Sequence, residues 1–219
     1  MTSGYDRTAR VFDVAEAKEI ATLRGHRELV NAARFSRDGA RVVTASRDGR
    51  VRIFEVASES CTATFETKEA RCFDARFSHD ERKIVAAYYE GFARVFDVAT
   101  GALLLTLVGH DDRVVSASFD GDDGRIVTCA LDRTARVFDA RTGAELETLV
   151  GHADIVRFAD FGRDGRSLVT ASIDGDVRRW PLDPLAAALA ARPRDFTAEE
   201  RQAYGLAPAD ATPDRSSSR

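Results

Sequence analysis

Lysine is nearly missing from this chain of 219 residues, where only Lys18, Lys68 and Lys83 occur. The other basic side chains are arginines, and the formal net charge is −4. An acidic balance argues against nonspecific binding to nucleic acid or to an anionic membrane, both of which need a basic surface. With frequent Ala and Asp, the arginine preference reads as the coding bias of a GC-rich bacterial genome. Cysteine is equally scarce. Cys61, Cys72 and Cys129 have no short ligand spacing and each falls in a predicted strand, so they are expected to be small buried residues, not a disulfide or metal set. No apolar run is long enough to span a bilayer, and Met1 to Arg7 is no signal peptide, so a cytoplasmic protein is expected. There is no glycine-rich phosphate loop and no second cluster of His or Cys. No cofactor, no metal and no enzyme activity is therefore expected.

What the chain does have is a period. Laid against itself at an offset of 42 residues, it holds register without an insertion. Phe12, Phe54, Phe96, Phe138 and Trp180 share one column, and Asp6, Asp48, Glu90, Asp132 and Asp174 share another. Gly25-His26, Gly109-His110 and Gly151-His152 form a third, with Thr67-Lys68 in the gap. Within residues 25–66, period-two alternation predicts strands a (Leu29 to Ser36), b (Ala40 to Ser46), c (Arg50 to Val56) and d (Cys61 to Phe65), with Asp-Gly turns between a, b and c. Self-similarity at this period, with four strands per unit, is the mark of a propeller blade.

The Gly-His, turn-Asp and Phe/Trp-Asp columns resemble the WD-repeat (WD40) family of β-propellers over residues 2–180. The pair closing strand c reads Phe12-Asp13, Phe54-Glu55, Phe96-Asp97, Phe138-Asp139 and Trp180-Pro181, so Trp is mostly replaced by Phe. The resemblance implies an all-β propeller of four-stranded antiparallel blades, about four and a half of them, in an incomplete or open ring with a short helical C-terminal tail. Its units would be a partial blade (1–24, strands c and d), blade 1 (25–66), blade 2 (67–108), blade 3 (109–150), blade 4 (151–181, without its outer strand), a helical tail (182–205) and a disordered end (206–219). Thr2 aligns with Thr44, which puts Met1 inside a strand b, and the strand count comes to seventeen. Seven such blades would need about 290 residues. The chain is thus expected to be the C-terminal portion of a larger propeller, with upstream blades or oligomerisation covering its open edges.

The resemblance further implies a hydrogen-bonded set in each blade: the His, a Ser/Thr on strand b, the turn Asp and the Trp. Blade 4 would keep all of it (His152, Ser172, Asp174, Trp180) and blade 1 most of it (His26, Ser46, Asp48, with Phe54 lacking a donor). Blade 3 would keep His110 and Asp132, with Ala130 and Phe138 breaking the relay. Blade 2 would have lost the set (Lys68, Tyr88, Glu90, Phe96), and Lys68 and Glu90 could pair as ions in its place, though an exposed pair would add little. A Ser/His/Asp trio invites a hydrolase reading, but an active site has no reason to recur once per blade, so a structural clip is expected. The acid-rich run Asp120-Gly121-Asp122-Asp123-Gly124 is read as a turn, since it lacks the distal Glu of a calcium loop.

For function, the resemblance implies a noncatalytic protein-interaction scaffold or sensor, docking a protein or peptide partner on the face that bears the d–a and b–c loops. The positions aimed there by analogy are Asn31, Arg47, Arg71, Phe73, Tyr89, Arg113, Val115, Leu131, Ile155, Arg157 and Ile173. Phe73, Val115 and Leu131 could instead pack between blades, and Arg71, Arg113 and Arg157 could make a ring favouring an acidic peptide. The alternative is the regulatory C-terminal part of a bacterial signalling NTPase or Ser/Thr kinase.

Overall fold

The computed structural model describes residues 1–182, and within them the chain forms eighteen strands and no helix. The compact unit is Met1–Trp180. The expected helical tail and disordered end fall, from residue 183 on, outside the described residues.

Every sheet is antiparallel and built from consecutive strands. The first contains β1 (Thr2–Ser3), β2 (Ala9–Asp13) and β3 (Lys18–Leu23). Blade 1 contains β4 (Val30–Phe35), β5 (Arg41–Ser46), β6 (Arg50–Glu55) and β7 (Cys61–Glu66). Blade 2 has β8 (Cys72–Phe77), β9 (Lys83–Tyr88), β10 (Ala93–Asp97) and β11 (Leu103–Leu107), and blade 3 has β12 (Val114–Phe119), β13 (Arg125–Ala130), β14 (Ala135–Asp139) and β15 (Glu145–Leu149). The last sheet is β16 (Val156–Phe161), β17 (Ser167–Ser172) and β18 (Val177–Pro181). The first sheet thus holds a stub of strand b as well as c and d, one strand more than the count from sequence. Its outer strand β3 pairs with its own β2, Ala9 opposite Leu23. The sheets follow one another in chain order as an open ring.

Two bulges recur at the same columns. Strands a and b shift register between Val30/Ala32, Cys72/Asp74, Val114/Ser116 and Val156/Phe158, and strands c and d shift at Val11/Phe12, Ile53/Phe54, Val95/Phe96 and Val137/Phe138. A bulge increases local twist and re-aims a side chain. On each a strand the residue left without a partner is Asn31, Phe73, Val115 or Arg157.

The core lies between sheets. Val43, Ala45, Val51, Ile53 and Phe65 of blade 1 bury against Ala75, Ile84, Ala86, Tyr88 and Phe96 of blade 2. Val85, Ala87, Ala93, Val95 and Leu107 of blade 2 bury in turn against Ala117, Phe119, Ile126, Ala130 and Phe138 of blade 3. Adjacent residues on one strand, such as Val42 and Val43, therefore face opposite neighbours, and both are fully buried. At the ends of the series the same columns change character. Phe12 is partly exposed where Phe54, Phe96 and Phe138 are buried, and Arg179 stands exposed where Val11, Ile53, Val95 and Val137 are buried. Arg179 pairs with Asp164 at 2.7 Å. Cys72 and Cys129 are buried, and burial pushes both thiols up, out of the reactive range. Cys61 is exposed, against expectation: it opens the outer strand β7, whose start has no sheet beyond it.

Where the a strands converge, polar side chains replace the hydrophobic ones. The buried Asp74 carboxylate accepts from Arg76 Nε at 3.3 Å and from Ser116 Oγ at 3.2 Å. Arg76 also reaches Asp160 at 3.0 Å, whose other oxygen accepts from Ser118 Oγ at 3.0 Å. One guanidinium thereby joins blades 2, 3 and 4. The acid-rich run is a turn that fastens blades. Asp120 accepts the N–H groups of Gly124 and Arg125 at 2.8 and 3.1 Å. Asp123 accepts those of His79 and Asp80, on the preceding blade, at 2.6 and 2.9 Å. Glu81, one period earlier, accepts Arg37 N–H in the same way at 2.6 Å.

Two glycines separate backbone strain from crowding. Gly39 and Gly49 both sit at φ near the left-handed region (+74° and +78°). A Cβ at Gly39 would meet nothing within 4 Å, whereas one at Gly49 would lie 2.6 Å from the carbonyl oxygens of Thr67 and Ala70. Gly39→Ala should cost about 1–2 kcal/mol, the strain of the backbone alone. Gly49→Ala should cost clearly more, because it forces blade 2 away. Paired urea melts check this, and equal midpoints for the two variants would contradict the close blade contact.

Candidate docking face and the clips behind it

The b–c turns and d–a loops emerge on one face, and in blades 1, 3 and 4 they are held by a recurring clip. His26 Nδ1 donates to Asp48 at 3.0 Å, His110 Nδ1 to Asp132 at 2.8 Å and His152 Nδ1 to Asp174 at 2.8 Å. The same carboxylates accept the N–H of the residue after the His: Arg27 at 2.9 Å, Asp111 at 3.2 Å and Ala153 at 2.9 Å. On the other side, Nε2 of each His meets a threonine hydroxyl: Thr44 at 2.7 Å, Thr128 at 2.8 Å and Thr170 at 2.7 Å. Trp180 Nε1 donates to Thr170 Oγ1 at 2.8 Å, which extends the chain in blade 4 alone.

This corrects the expected membership. Ser46 and Ser172 do not meet the histidines. Their hydroxyls donate to the carbonyls of Glu28 (3.2 Å) and Asp154 (2.9 Å), and accept the N–H of Asp48 and Asp174. The threonine two positions earlier points to the same side of the strand, and its hydroxyl is the one that the imidazole reaches. Ala130 breaks nothing in blade 3, since Thr128 carries the contact. In blade 2, Lys68 and Glu90 do not pair. Glu90 accepts from Arg71 (N–H at 3.0 Å, Nε at 3.4 Å), and the clip is replaced by the buried Tyr88 hydroxyl, which accepts from Thr67 at 2.9 Å while its ring stacks on Phe92 at 5.0 Å. An arginine column that sequence reading passed over completes the arrangement. A Cβ at Gly25, Gly109 or Gly151 would lie 2.5, 2.8 or 2.9 Å from Nη1 of Arg52, Arg136 or Arg178, so the glycine before each His makes room for the guanidinium beneath it. At Thr67, which has no such glycine, Arg94 donates to the hydroxyl at 3.2 Å.

The clip electrostatics are alike in the three blades. Burial opposes the charge on Asp48, but hydrogen bonds from His26 and from the N–H groups of Arg27 and Arg50 outweigh it. The same contest is won at Asp132 by His110 and Thr134, and at Asp174 by the N–H of Asp176, by His152 and by the N–H of Ala153. All three carboxyls lie well below the usual carboxylate range. The imidazoles are almost inaccessible, with side-chain exposures of 1%, 2% and 2%, and both nitrogens of each are occupied.

The side chains expected on the face divide into several groups. Arg47, Arg71 and Arg113 are exposed and gather on one ring, with guanidinium carbons 5.5, 4.9 and 5.2 Å from the centroid of Tyr89. Arg47 also donates to the Tyr89 hydroxyl at 3.2 Å, and Phe73 packs on the same ring at 5.3 Å. Leu131 and Ile155 are half-buried, and Ile173 and Arg157 are exposed. Val115 is buried, so packing and not docking accounts for it. Asn31 is turned to a blade contact, donating to Cys72 O at 2.8 Å. Arg157 takes no part in the cluster; its place in the expected ring is taken by Arg47 from a b–c turn.

An open series of antiparallel blades of three or four strands, three of them tied by a His–Asp clip, defines a propeller repeat protein. Residues 17–55, 101–139 and 143–181 match the family described as WD domain, G-beta repeat (WD40), and the chain belongs to that family. Comparison with curated proteins gives no match. WD40 domains are generally protein-interaction scaffolds and are typically noncatalytic.

Thr170→Val should destabilise the fold by about 2–3 kcal/mol, because it removes the partners of both His152 and Trp180. Ser172→Ala should cost about 1 kcal/mol. Urea melts that reverse this order would overturn the assignment of the threonine as the third member. The acid side gives a second check. A carboxyl held low in the folded state stabilises it above the unfolded pKa of about 4, and that contribution drains away as pH falls below it. Stability should therefore drop between about pH 4 and pH 2, and Asp132→Asn should flatten the drop; an unchanged slope in thermal melts would contradict the clip electrostatics.

Proposed function

We propose that this chain is a noncatalytic docking module that presents a rigid face of b–c turns and d–a loops to a protein or peptide partner in the cytoplasm. The observation that carries this reading is the Tyr89 cluster, in which exposed arginines from three blades meet on the half-buried aromatics of blade 2, whose turn is fixed from behind by Tyr88, Phe92 and Thr67. Aromatic and arginine side chains on rigid supports are the usual anchors of an interface. Against catalysis stands the state of the three clip histidines, His26, His110 and His152: side chains buried, with both nitrogens occupied, and repeated in three blades. The free thiols of Cys61, Cys72 and Cys129 suit a reducing compartment.

Panning displayed random peptides on the folded chain tests this. Enriched peptides should bind saturably, lose binding with Ile173→Arg or Leu131→Arg, and keep it with Arg163→Gln on the opposite, a–b turn face. Binding that ignores the first two substitutions, or no enrichment at all, would overturn the assignment of the face.

A further inference from the structure

The geometry points to the Tyr89 cluster as a carboxylate-binding site that takes an acidic peptide segment, with Arg47 and Arg113 as its direct donors. This rests on the docking reading above and names the chemistry of its ligand. The argument starts from charge pairing. The chain carries more acids than bases, 36 against 32, and ten arginines among the described residues pair with a carboxylate. Arg10 pairs with Asp6 and Glu19, Arg41 with Glu81, Arg50 with Glu66, Arg76 with Asp74 and Asp160, Arg125 with Asp120, and Arg136 with Glu145. Around Tyr89 such pairing is thin. Three guanidiniums lie about one ring, and among the described residues only Arg71 has a carboxylate partner, Glu90, at 3.4 Å.

Bringing like charges together without counterions is unfavourable, and the face of one tyrosine recovers only part of that cost. A bound anion would reverse the sign of the interaction. Glu90 already shows which anion suits the place, since its carboxylate accepts both the N–H and Nε of Arg71. Among the described residues no carboxylate meets the guanidinium of Arg47 or Arg113, and a guanidinium fork matches a carboxylate edge in two parallel hydrogen bonds. Phe73, half-buried beside Tyr89, offers an apolar wall for the stem of a Glu or Asp side chain. Tyr89 is a positioning residue: its ring and hydroxyl hold the arginines together, so their joint action depends on it.

The test is fluorescence anisotropy on the full chain with a labelled peptide alternating Glu and Gly, and its Gln and phosphoserine counterparts. The Glu peptide should bind saturably and at least about fivefold more tightly than the Gln peptide, and its affinity should fall with added salt. Arg47→Gln and Arg113→Gln should each weaken it about fivefold, while Arg163→Gln and Arg166→Gln, which remove the same charge from the opposite turns, should change nothing. Tyr89→Leu should weaken it with every charge still present, an effect long-range attraction alone would not give. Urea melts of each variant establish that the fold is intact. Equal binding of the Glu and Gln peptides, equal losses from Arg163→Gln, or binding of the phosphoserine peptide alone would overturn the carboxylate assignment. If neutral peptides selected by display bind this face while the Glu peptide does not, the docking reading stands and this inference fails. If no peptide binds, both fall.

Discussion

No blade in this chain can bury its own apolar surface. A four-stranded sheet with hydrophobic side chains on both faces is stable only between two others, and residues such as Val42 and Val43 are divided between neighbours on either side. The rest of the structure follows from that constraint. Small residues fill strand b where the sheets crowd together, the bulges recur at fixed columns, and the acid-bearing turns at Glu81 and Asp123 reach to the preceding blade instead of closing on themselves. Stability of this kind accumulates through neighbour contacts, as in other repeat proteins. The two end sheets, each of three strands, show what a missing neighbour does: Phe12 and Arg179 stand in the open where their counterparts are core.

The clips serve a different purpose from the core. They hold little apolar area, yet each fixes a b–c turn to the loop entering its own blade, and so fixes the side chains on the docking face. Blade 2 is instructive because it achieves the same fixation with other chemistry. Tyr88, Phe92 and Thr67 fill the space with a buried ring stack and one hydroxyl bond. It is also the blade that supplies Tyr89, Arg71 and Phe73 to the cluster. The loss of the histidine clip and the gain of the aromatic cluster thus fall on the same turn, which sets one blade apart from its near-identical companions.

The period, the strands and the WD40 family were legible in the sequence, because a 42-residue register makes every column visible four or five times over. The partners within the clip were less so. Thr44 and Ser46 lie two residues apart on one strand and project from the same face, so periodicity cannot say which of the two hydroxyls meets the imidazole. The serine hydroxyls are taken by the carbonyls of Glu28 and Asp154, which leaves the threonines to the imidazoles, and that pairing is a property of the packed blade. The same limit hid the Arg52, Arg94 and Arg136 column, which alternation marks only as polar. The axial hub at Arg76 was invisible for another reason. Its partners Asp74, Ser116, Ser118 and Asp160 occupy columns where the residue type changes from blade to blade, and no repeat signal survives that. Arg47, which joins the cluster in place of Arg157, was a candidate on its own turn but belongs spatially to the next blade.

Strands β2 and β14 are the same five residues, and each is preceded by the same Arg-Thr pair, Arg7-Thr8 and Arg133-Thr134. Their partners meet them in the same register, Ala9 opposite Leu23 and Ala135 opposite Leu149. For a chain still collapsing, this makes right and wrong neighbours almost equal in energy. A strand c can be captured by the outer strand of a blade two or three repeats away and lose nothing until the sheets stack. Repeat similarity of this order is a known source of misassembled intermediates. In that setting the departures from the repeat, Tyr88 in blade 2 and Trp180 in the last sheet, act as addresses: they tell one sheet from another while the order of the blades is being decided.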